Sequence, residues 1–316
     1  MALIVDKKIV VLVGGVGGAK LALGLQQIVA PQNLTVIVNT GDDFWHYGLR
    51  ICPDIDTVLY TLSDRVNRQF GWGVANDTTI TLDALKALGE DPWFLLGDRD
   101  MATHLLRSHR LRKGASLTAI VQDLAQRMGI GATVLPMTDA EVPTIVETVE
   151  HGKLEFQEYF VKYRWQPTVK SLVNLNIETA TLSAAVADAI DQADLILFGP
   201  SNPWLSIAPI LAVPGMRERL KRSTVPRIAV TPIVAGKALK GPAAKLMAEL
   251  GYQVSARTVA DYYADVITGF VYDQQDGDFQ PYGLNCCAFD TIMKTDEDKA
   301  RLAQDILTWV SEVEGI

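Results

Sequence analysis

Short runs of apolar, mostly β-branched residues alternate along the chain with segments of helical periodicity. Ile9–Val13 is the first such run, and the spacing of apolar residues over 19–29 predicts a helix that packs on a sheet. Leu34–Val38 predicts the next strand. Because a strand, a helix and a second strand in this order form a parallel βαβ unit, the pattern predicts a Rossmann-like α/β fold with an open, mostly parallel sheet.

Two later apolar runs end in turn-forming residues and predict further strands of the same sheet. Residues 193–198 precede the sequence GPSNP, and residues 225–230 precede Thr231 and Pro232. We therefore expect the sheet to contain segments from both halves of the chain, with helices on both of its faces.

The middle of the chain predicts a smaller α+β insertion, at about 100–170, packed over the active-site side of the sheet. Helical patterns cover 100–112 and 116–128, and β-like patterns cover 132–135, 144–149 and 154–161. No repeat, low-complexity tract or charged linker separates this part from the rest. We interpret residues 1–316 as a single Rossmann-like catalytic domain that carries the insertion.

Composition limits the classes of function. The chain is 48% hydrophobic and 21% charged, with a net charge of -8 and no dense basic stripe, which argues against a nucleic-acid-binding protein. No apolar run approaches the roughly 20 residues of a membrane span. Cys52, Cys286 and Cys287 lack the spacing of zinc ligands and are typical of reduced thiols. We expect a cytoplasmic protein without a membrane or nucleic-acid partner.

A glycine-rich turn, GGVGGAK at 14–20, joins the first strand to the first helix. Such a turn lets the backbone approach a phosphate, and the helix N-terminus supplies unpaired N–H groups. The turn differs from a Walker A loop and from the dinucleotide fingerprint, so a tight turn for close helix packing is the alternative. Lys20 pairs with a phosphate or extends along the surface. The candidate phosphate-binding residues are Gly14, Gly15, Gly17, Gly18 and Lys20.

Four aspartates follow within fifteen residues. They are Asp42, Asp43, Asp54 and Asp56. Glycine and proline between them predict loops at the carboxyl ends of strands, where open α/β sheets bind ligands. Because carboxylates and phosphates repel each other, the combination predicts a divalent cation such as Mg²⁺ and chemistry on a phosphorylated substrate. The alternative is that single aspartates form turns, or that Asp54 caps a helix over 55–62.

Two further segments carry candidate ligand-binding groups. The sequence LGDRDMATH at 96–104 offers the guanidinium of Arg99 for a phosphate or carboxylate, or for a surface pair with Asp98 or Asp100. We interpret His104 as a helix-face histidine without a catalytic role. Ser201 and Asn202, in GPSNP, suit the edge of a nucleobase or ribose. The aromatic residues in or beside these loops that are candidates for stacking on a planar ligand, or for the core, are Phe44, Trp45, Trp72 and Trp204.

Several ordered blocks resemble the 2-phospho-L-lactate transferase family, which builds the deazaflavin coenzyme F-420, and most closely its bacterial phosphoenolpyruvate transferase branch. The resemblance covers nearly the whole chain. It rests on GGVGGAK at 14–20, VNTGDD at 38–43, RICPDIDT at 50–57, GWG at 71–73 with Asp77 and Thr78, LGDRD at 96–100 with ATH at 102–104, FQ at 156–157, GPSNP at 199–203 and GPA at 241–243.

The resemblance implies a reaction. A phospho-carboxylate group passes from a guanylylated diphosphate donor to the ribityl hydroxyl of 7,8-didemethyl-8-hydroxy-5-deazariboflavin, and GMP is released. It implies Mg²⁺ as the cofactor and a homodimer as the assembly. Asp43, Asp54 and Asp56 are then the metal ligands, Arg99 grips the donor, and Ser201 and Asn202 contact the guanine or ribose. The form of the glycine turn and the Asp42–Asp43 pair favour the enolpyruvyl donor over the lactyl donor.

Two other functions compete with this interpretation. A nicotinamide or flavin oxidoreductase is weakened because the second strand ends at Asn39, where an acid for the ribose is expected, and because the third fingerprint glycine is missing. The second alternative is a regulatory protein of the related gluconeogenesis-factor family. Such a protein is expected to bind a nucleotide sugar tightly without converting it. LGDRD and PDID together favour the transferase.

Overall fold

The computed structural model describes residues 6–238, 241–277, 281 and 283–314. The strands are β1 Ile9–Val13, β2 Leu34–Val38, β3 Phe44–His46, β4 Leu49–Ile51, β5 Thr133–Pro136, β6 Thr144–Thr148, β7 Gly152–Glu155, β8 Val169–Asn174, β9 Leu195–Phe198, β10 Arg227–Val230, β11 Ile233–Val234, β12 Lys237–Ala238, β13 Gly269–Asp273 and β14 Asn285–Phe289. The helices are α1 Gly15–Ile28, α2 Pro53–Leu62, α3 Ile80–Ala87, α4 Asp98–Arg112, α5 Leu117–Arg127, α6 Ala184–Asp191, α7 Ala208–Ala212, α8 Met216–Arg222, α9 Ala243–Glu249, α10 Ala256–Tyr263 and α11 Asp296–Glu314. Across the described ranges, none of the helices is both long and apolar enough to span a bilayer.

A seven-stranded sheet in the order β14-β13-β10-β9-β1-β2-β5 forms the centre of the molecule. Every neighbouring pair in it is parallel. The predicted Rossmann-like sheet flanked by helices is therefore confirmed, and the apolar runs predicted as strands at 193–198 and 225–230 supply β9 and β10.

Both faces of this sheet are buried, which explains why its strands are apolar throughout. Along β1, Val10 and Leu12 belong to one hydrophobic core, whereas Ile9, Val11 and Val13 belong to the core on the opposite face. Successive strand residues point to opposite faces, so a strand covered on both sides needs apolar residues at every position.

The middle of the chain divides between two sheets. β6, β7 and β8 form a separate antiparallel sheet in the order β7-β6-β8. The sequence predicts that the β-like segment at 132–135 belongs to the insertion, but β5 is the edge strand of the main sheet and pairs with β2. A β pattern reports that a segment is extended, and the partner strand is set by tertiary packing, so the pattern alone did not assign β5 to its sheet.

Gly24 lets α1 approach α11 closely. A Cβ atom at this position would clash with the backbone carbonyl of Lys299 at the start of α11. We therefore expect Gly24→Ala to lower the free energy of unfolding by about 1–3 kcal/mol, measured by urea denaturation, because one of the two helices must shift. Gln27→Ala, at an exposed position of the same helix, is the control. Equal stability of Gly24→Ala and the parent protein would show that the helices are not in contact here.

Candidate active site

A cavity of about 770 Å³ opens at the carboxyl ends of the main-sheet strands. Gly14 follows β1, Asp42 follows β2, Pro200 follows β9 and Thr231 follows β10, and all four line the cavity. Open α/β sheets bind their ligands at this edge, and the volume is that of a cofactor-sized pocket. α2, α4 and the segment after β7 also contribute to the wall.

The glycine turn is held against the loop that follows β9. A Cβ on Gly17 would clash with the Pro200 carbonyl, and one on Gly18 would lie 2.5 Å from Ser201 Oγ. The Ser201 hydroxyl accepts a hydrogen bond from Gly14 N at 3.0 Å and donates one to Gly14 O at 2.7 Å. α1 begins at Gly15, which has a positive φ of 62°. The helix thus begins four residues before the predicted start at residue 19, and the glycine turn presents the N-terminus of a fourteen-residue helix to the cavity.

Three predicted ligand-binding side chains line the cavity but also have partners within the protein. Lys20 Nζ donates to the Met293 carbonyl at 2.6 Å. Asn202 Oδ1 accepts from the backbone N–H groups of Trp204 and Leu205 at 3.0 and 3.1 Å. The Ser201 hydroxyl is used by the glycine turn. Contact of Ser201 and Asn202 with a nucleotide stays a prediction, and the structure gives both side chains a role in holding the loop.

Asp42 and Asp54, named here the acidic pair, lie side by side on the cavity wall. One amide links them, since Asn39 Nδ2 donates to Asp42 Oδ1 at 3.0 Å and to Asp54 Oδ2 at 2.9 Å. Burial raises the pKa of Asp54 to about 6, and burial with the nearby Asp54 charge raises the pKa of Asp42 well above its ordinary value. Among the described side chains, none forms an ion pair with either carboxylate. A bound cation would stabilise both in their charged forms.

The other two aspartates of the cluster already have cationic partners. The Asp43 carboxylate lies 3.5 Å from Arg50 and is not part of the cavity wall. Both oxygens of Asp56 are bonded by the fully buried guanidinium of Arg107. The predicted metal set of Asp43, Asp54 and Asp56 is thus not one group of unpaired ligands, and the geometry favours Asp54 with Asp42. The adjacent aspartates of the TGDD sequence point to different partners, which the sequence does not reveal.

Two helices, α2 and α4, contribute a buried hydrogen-bonded set that was not predicted from the sequence, named here the Arg107 network. Its members are Arg107, Asp56, His104, Asp100 and Tyr60. His104 Nδ1 lies 3.2 Å from Arg107 Nη1 and His104 Nε2 lies 3.2 Å from Asp100 Oδ1, while Tyr60 donates its hydroxyl proton to Asp100 Oδ1 at 2.6 Å. Since Arg107 only donates, Nδ1 accepts and the ring proton is on Nε2, facing Asp100.

A helical signal for this network was present in the sequence. Asp56 and Tyr60 are four residues apart on α2, and Asp100, His104 and Arg107 have four- and three-residue spacings on α4, which place each set on one helix face. Burial alone would raise the pKa of Asp100, but its contacts with His104 and Tyr60 and the charge of Arg107 lower it. Asp100 therefore presents a fixed negative charge to the cavity.

The ligand atoms of Asp56, Asp100 and His104 lie within 4.8 Å of one another, close enough for a metal ion. The guanidinium of Arg107 already neutralises Asp56 and would repel a cation placed there. Mg²⁺ also prefers oxygen ligands to imidazole. These three residues are therefore better explained as part of a hydrogen-bonded network than as a magnesium site.

Arg99 lies outside the cavity wall. Its side chain is exposed and donates from Nη1 to the Ala75 carbonyl at 3.3 Å. The Asp77 carboxylate accepts hydrogen bonds from the backbone N–H groups of Arg99 and Asp100 at 2.8 and 2.9 Å, so Asp77 caps the N-terminus of α4. One residue turns a helix by about 100°, so Arg99 points away from the cavity when Asp100 faces it. The structure gives no support to Arg99 as the donor-gripping residue.

Aromatic side chains line the cavity in two stacked pairs. Phe70 and Trp72 have ring centroids 5.5 Å apart, and Phe156 and Phe160, after β7, have centroids 5.4 Å apart. Of the four aromatic residues selected from the sequence, only Trp72 lines the cavity. The others pack elsewhere: Phe44 against Trp93 and Phe94, Trp45 beside Arg50 and Arg112, and Trp204 against Tyr252 and Tyr262.

Asp43 makes the stability of the protein depend on pH. Burial raises its pKa from 3.8 to about 7, although Arg50 opposes the shift. Between about pH 4 and 7 the unfolded chain loses this proton while the folded protein keeps it, so the contribution of Asp43 to the free energy of unfolding falls as pH rises. We expect stability relative to Asp43→Asn to decrease by up to about 1.4 kcal/mol per pH unit over this range. Urea denaturation with a chelator present measures it, and a flat difference would contradict the shift.

The fold and the cavity define a class of protein. An open parallel sheet, a glycine turn at a helix N-terminus and carboxylates at the strand ends together are typical of α/β enzymes that act on phosphorylated ligands. Residues 9–306 match the model of the family described as 2-phospho-L-lactate transferase CofD. This chain belongs to that family of transferases, and the recognition made from the sequence is confirmed.

Similar proteins include members with two different names. The chain is 42% identical over 298 residues to a 2-phospho-L-lactate transferase of Methanosarcina mazei, covering 93% of this chain and 97% of that protein. It is 41% identical over 309 residues to a phosphoenolpyruvate transferase of Thermobifida fusca, covering 94% and 95%. Among solved structures, a member of the UPF0052 family from Bacillus halodurans has a TM-score of 0.62 at 16% identity, with 95% of this chain and 98% of that chain covered. The last similarity concerns the fold alone.

Proposed function

We propose that this protein transfers a phosphoenolpyruvate group, or a 2-phospho-L-lactate group, from a guanylylated diphosphate donor to the ribityl hydroxyl of 7,8-didemethyl-8-hydroxy-5-deazariboflavin in the synthesis of coenzyme F-420. The acceptor oxygen forms a bond to the phosphorus that carries the three-carbon unit. The bond from that phosphorus to the bridging oxygen breaks, and GMP leaves. The proton of the hydroxyl passes to a carboxylate of the cavity wall.

The observation that carries the proposal is the order of groups in one cavity. A helix N-terminus with a glycine turn lies beside the acidic pair, and stacked aromatic residues form another part of the wall. A diphosphate donor needs the first two, and a planar deazaflavin ring suits the third. The names of the relatives, which include both transferases, support the same reaction class.

The acidic pair fits Mg²⁺ better than any other set of carboxylates that the structure describes. Asp42 and Asp54 supply hard oxygen ligands, are buried, and have only the Asn39 amide between them. When bound, Mg²⁺ would supply charge neutralisation at the non-bridging phosphate oxygens. The N–H groups at the start of α1 bind the phosphate of the departing GMP, and the packed glycine turn keeps them in place.

The donor is proposed to carry the enolpyruvyl unit. The form of the glycine turn and the Asp42–Asp43 sequence support this choice. The identities to relatives of the two names, 42% and 41%, do not separate the donors.

A turnover assay followed by mass spectrometry tests the proposed function. The protein is incubated with the deazaflavin alcohol, Mg²⁺ and each guanylylated donor in parallel, the donors being made in situ. We expect a deazaflavin product that bears the enolpyruvyl unit, formed faster than the lactyl product. Absence of both products from folded protein that binds nucleotide would contradict the transferase and favour a regulatory binding protein.

A further inference from the structure

α2 runs along one wall of the cavity, so positions along this helix show how far apart the two ends of the cavity are. Asp54, in the first turn of α2, lies beside the glycine turn, and Tyr60 lies six residues further along the helix. An α-helix rises about 1.5 Å per residue, so the two positions are about 9 Å apart along the axis. Both side chains line the cavity. The phosphate-binding end is thus at the start of α2, and Tyr60 marks a point well beyond it.

The stacked pair Phe70 and Trp72 lies at the Tyr60 end. The backbone N–H groups of Arg65 and Val66 donate to the Tyr60 carbonyl at 2.8 and 3.0 Å, and Val66 forms a β-bridge with Val74. The loop that carries the two aromatic residues therefore begins directly at the end of α2. A ligand with its reacting hydroxyl at the acidic pair and its planar ring at Phe70 and Trp72 must pass Tyr60.

Asp100 lies between the two ends, because its carboxylate accepts the hydrogen bond of Tyr60 and its ligand atom is within 4.8 Å of that of Asp56, near the start of α2. Its Oδ1 has contacts with Tyr60 and His104, and the described part of the chain makes no hydrogen bond to its Oδ2. The backbone N–H of Asp100 is fixed by Asp77, and His104 is fixed in turn by Arg107. A charged carboxylate is thus oriented at the cavity wall with the capacity to accept further hydrogen bonds.

We infer that Asp100 accepts hydrogen bonds from the internal hydroxyl groups of the acceptor's ribityl chain and so selects an acceptor with a polyhydroxylated chain. This inference rests on the proposed function. Hydroxyl groups donate to a carboxylate, which is an acceptor only, and a bond to a charged partner is stronger than one between neutral groups. Tyr60, His104 and Arg107 are positioning residues, which hold Asp100 without touching the chain's hydroxyls.

The contacts of Asp100 argue against a role as a ligand of the proposed magnesium ion. Its Oδ1 accepts the Tyr60 hydrogen bond and lies 3.2 Å from His104 Nε2, so this carboxylate already has partners within the protein. The guanidinium of Arg107, which bonds the neighbouring Asp56, would repel a cation placed there. A function in substrate binding therefore explains the position of Asp100 better than one in metal binding.

Equilibrium binding without donor tests the inference. The dissociation constants of two ligands are measured by fluorescence titration: the ribityl deazaflavin, and a deazaflavin whose pentyl chain carries only the terminal hydroxyl. We expect Asp100→Asn to weaken binding of the ribityl compound about tenfold and that of the pentyl compound less than about twofold, because only the first offers internal hydroxyls. Tyr60→Phe is expected to show the same selectivity with a smaller loss, of about twofold to fivefold.

Asp123→Asn is the matched control, since Asp123 is a partly exposed aspartate paired with Arg110 and Arg127 outside the cavity wall. It is expected to leave both constants unchanged. Equal losses for the two ligands in Asp100→Asn, or no loss for the ribityl compound, would overturn the inference while the proposed function stands. Failure of the parent protein to bind the ribityl deazaflavin would instead overturn the proposed function and the inference with it.

Discussion

Asp54→Asn is expected to lower kcat about a hundredfold to a thousandfold while the protein stays folded. The substitution keeps the shape of the side chain and an oxygen that accepts the Asn39 hydrogen bond, but it removes a negative charge from the acidic pair. The remaining carboxylate, Asp42, binds a divalent cation more weakly on its own. The negative charge of Asp54 is most important in the transition state, when the attacking and the leaving oxygen are both close to the phosphorus. The substitution therefore lowers kcat more than it weakens binding of the donor.

The measurement is kcat as a function of Mg²⁺ concentration for the parent protein and the variant. Raising Mg²⁺ should restore part of the activity of Asp54→Asn, since mass action opposes the weaker binding. The control is Asp64→Asn, at an exposed aspartate that follows α2 and pairs with Arg68. This substitution should change neither kcat nor its dependence on Mg²⁺. An unchanged kcat and an unchanged Mg²⁺ dependence in Asp54→Asn would remove Asp54 from the active site.

Arg107→Met is expected to destabilise the fold by about 3–5 kcal/mol. Arg107 is fully buried and its guanidinium bonds both oxygens of Asp56 and the Arg50 carbonyl. Without it, the Asp56 carboxylate is left buried among groups that do not neutralise it. Urea denaturation measures the loss.

A double variant separates the lost charge partner from lost packing. Asp56→Asn combined with Arg107→Met removes both members of the ion pair, so it should be more stable than Arg107→Met alone. An exposed arginine provides the control, because Arg127→Met, outside the core, should cost less than about 1 kcal/mol. A loss below 1 kcal/mol for Arg107→Met would contradict the buried ion pair.

The sequence predicted the parts of this molecule that depend on local patterns. The buried strands of a parallel sheet are apolar at every position, so the short apolar runs, with the turn-forming residues that follow them, predicted β1, β2, β9 and β10. The glycine turn was predicted from its glycines, which follow an apolar run and precede a helical pattern. The structure explains two of these glycines, since a Cβ at Gly17 would clash with the Pro200 carbonyl and one at Gly18 with the Ser201 hydroxyl. The strands and the turn were predictable because each is a pattern within a short stretch of sequence.

The division of the carboxylates between cavity and ion pairs was not predictable in this way. Asp42 and Asp43 are neighbours in sequence, but one joins Asp54 on the cavity wall and the other faces Arg50. Asp56 is neutralised by Arg107, 51 residues away in the chain. The helical spacings place each residue on one face of its own helix, but no local pattern pairs α2 with α4. The four aspartates thus form two groups. Asp42 and Asp54 have no ion-pair partner among the described side chains, whereas Asp43 and Asp56 each face an arginine.

The aromatic wall was missed for a related reason. Phe156 and Phe160 reach the cavity only because the sheet of β6, β7 and β8 carries the segment after β7 over the main sheet. Arg99 was selected for its chemistry, yet the direction of a helical residue depends on which face of α4 packs inward. Pairing between distant segments and the rotation of a helix are properties of the tertiary structure.

The release of GMP tests the central claim most directly. GMP and the deazaflavin phosphodiester are quantified by chromatography in reactions with and without the deazaflavin alcohol, at saturating donor and Mg²⁺. The transferase account predicts one GMP for each phosphodiester and almost no GMP when the acceptor is omitted. GMP released at the same rate without the acceptor, or binding of the donor with no release in either reaction, would contradict it.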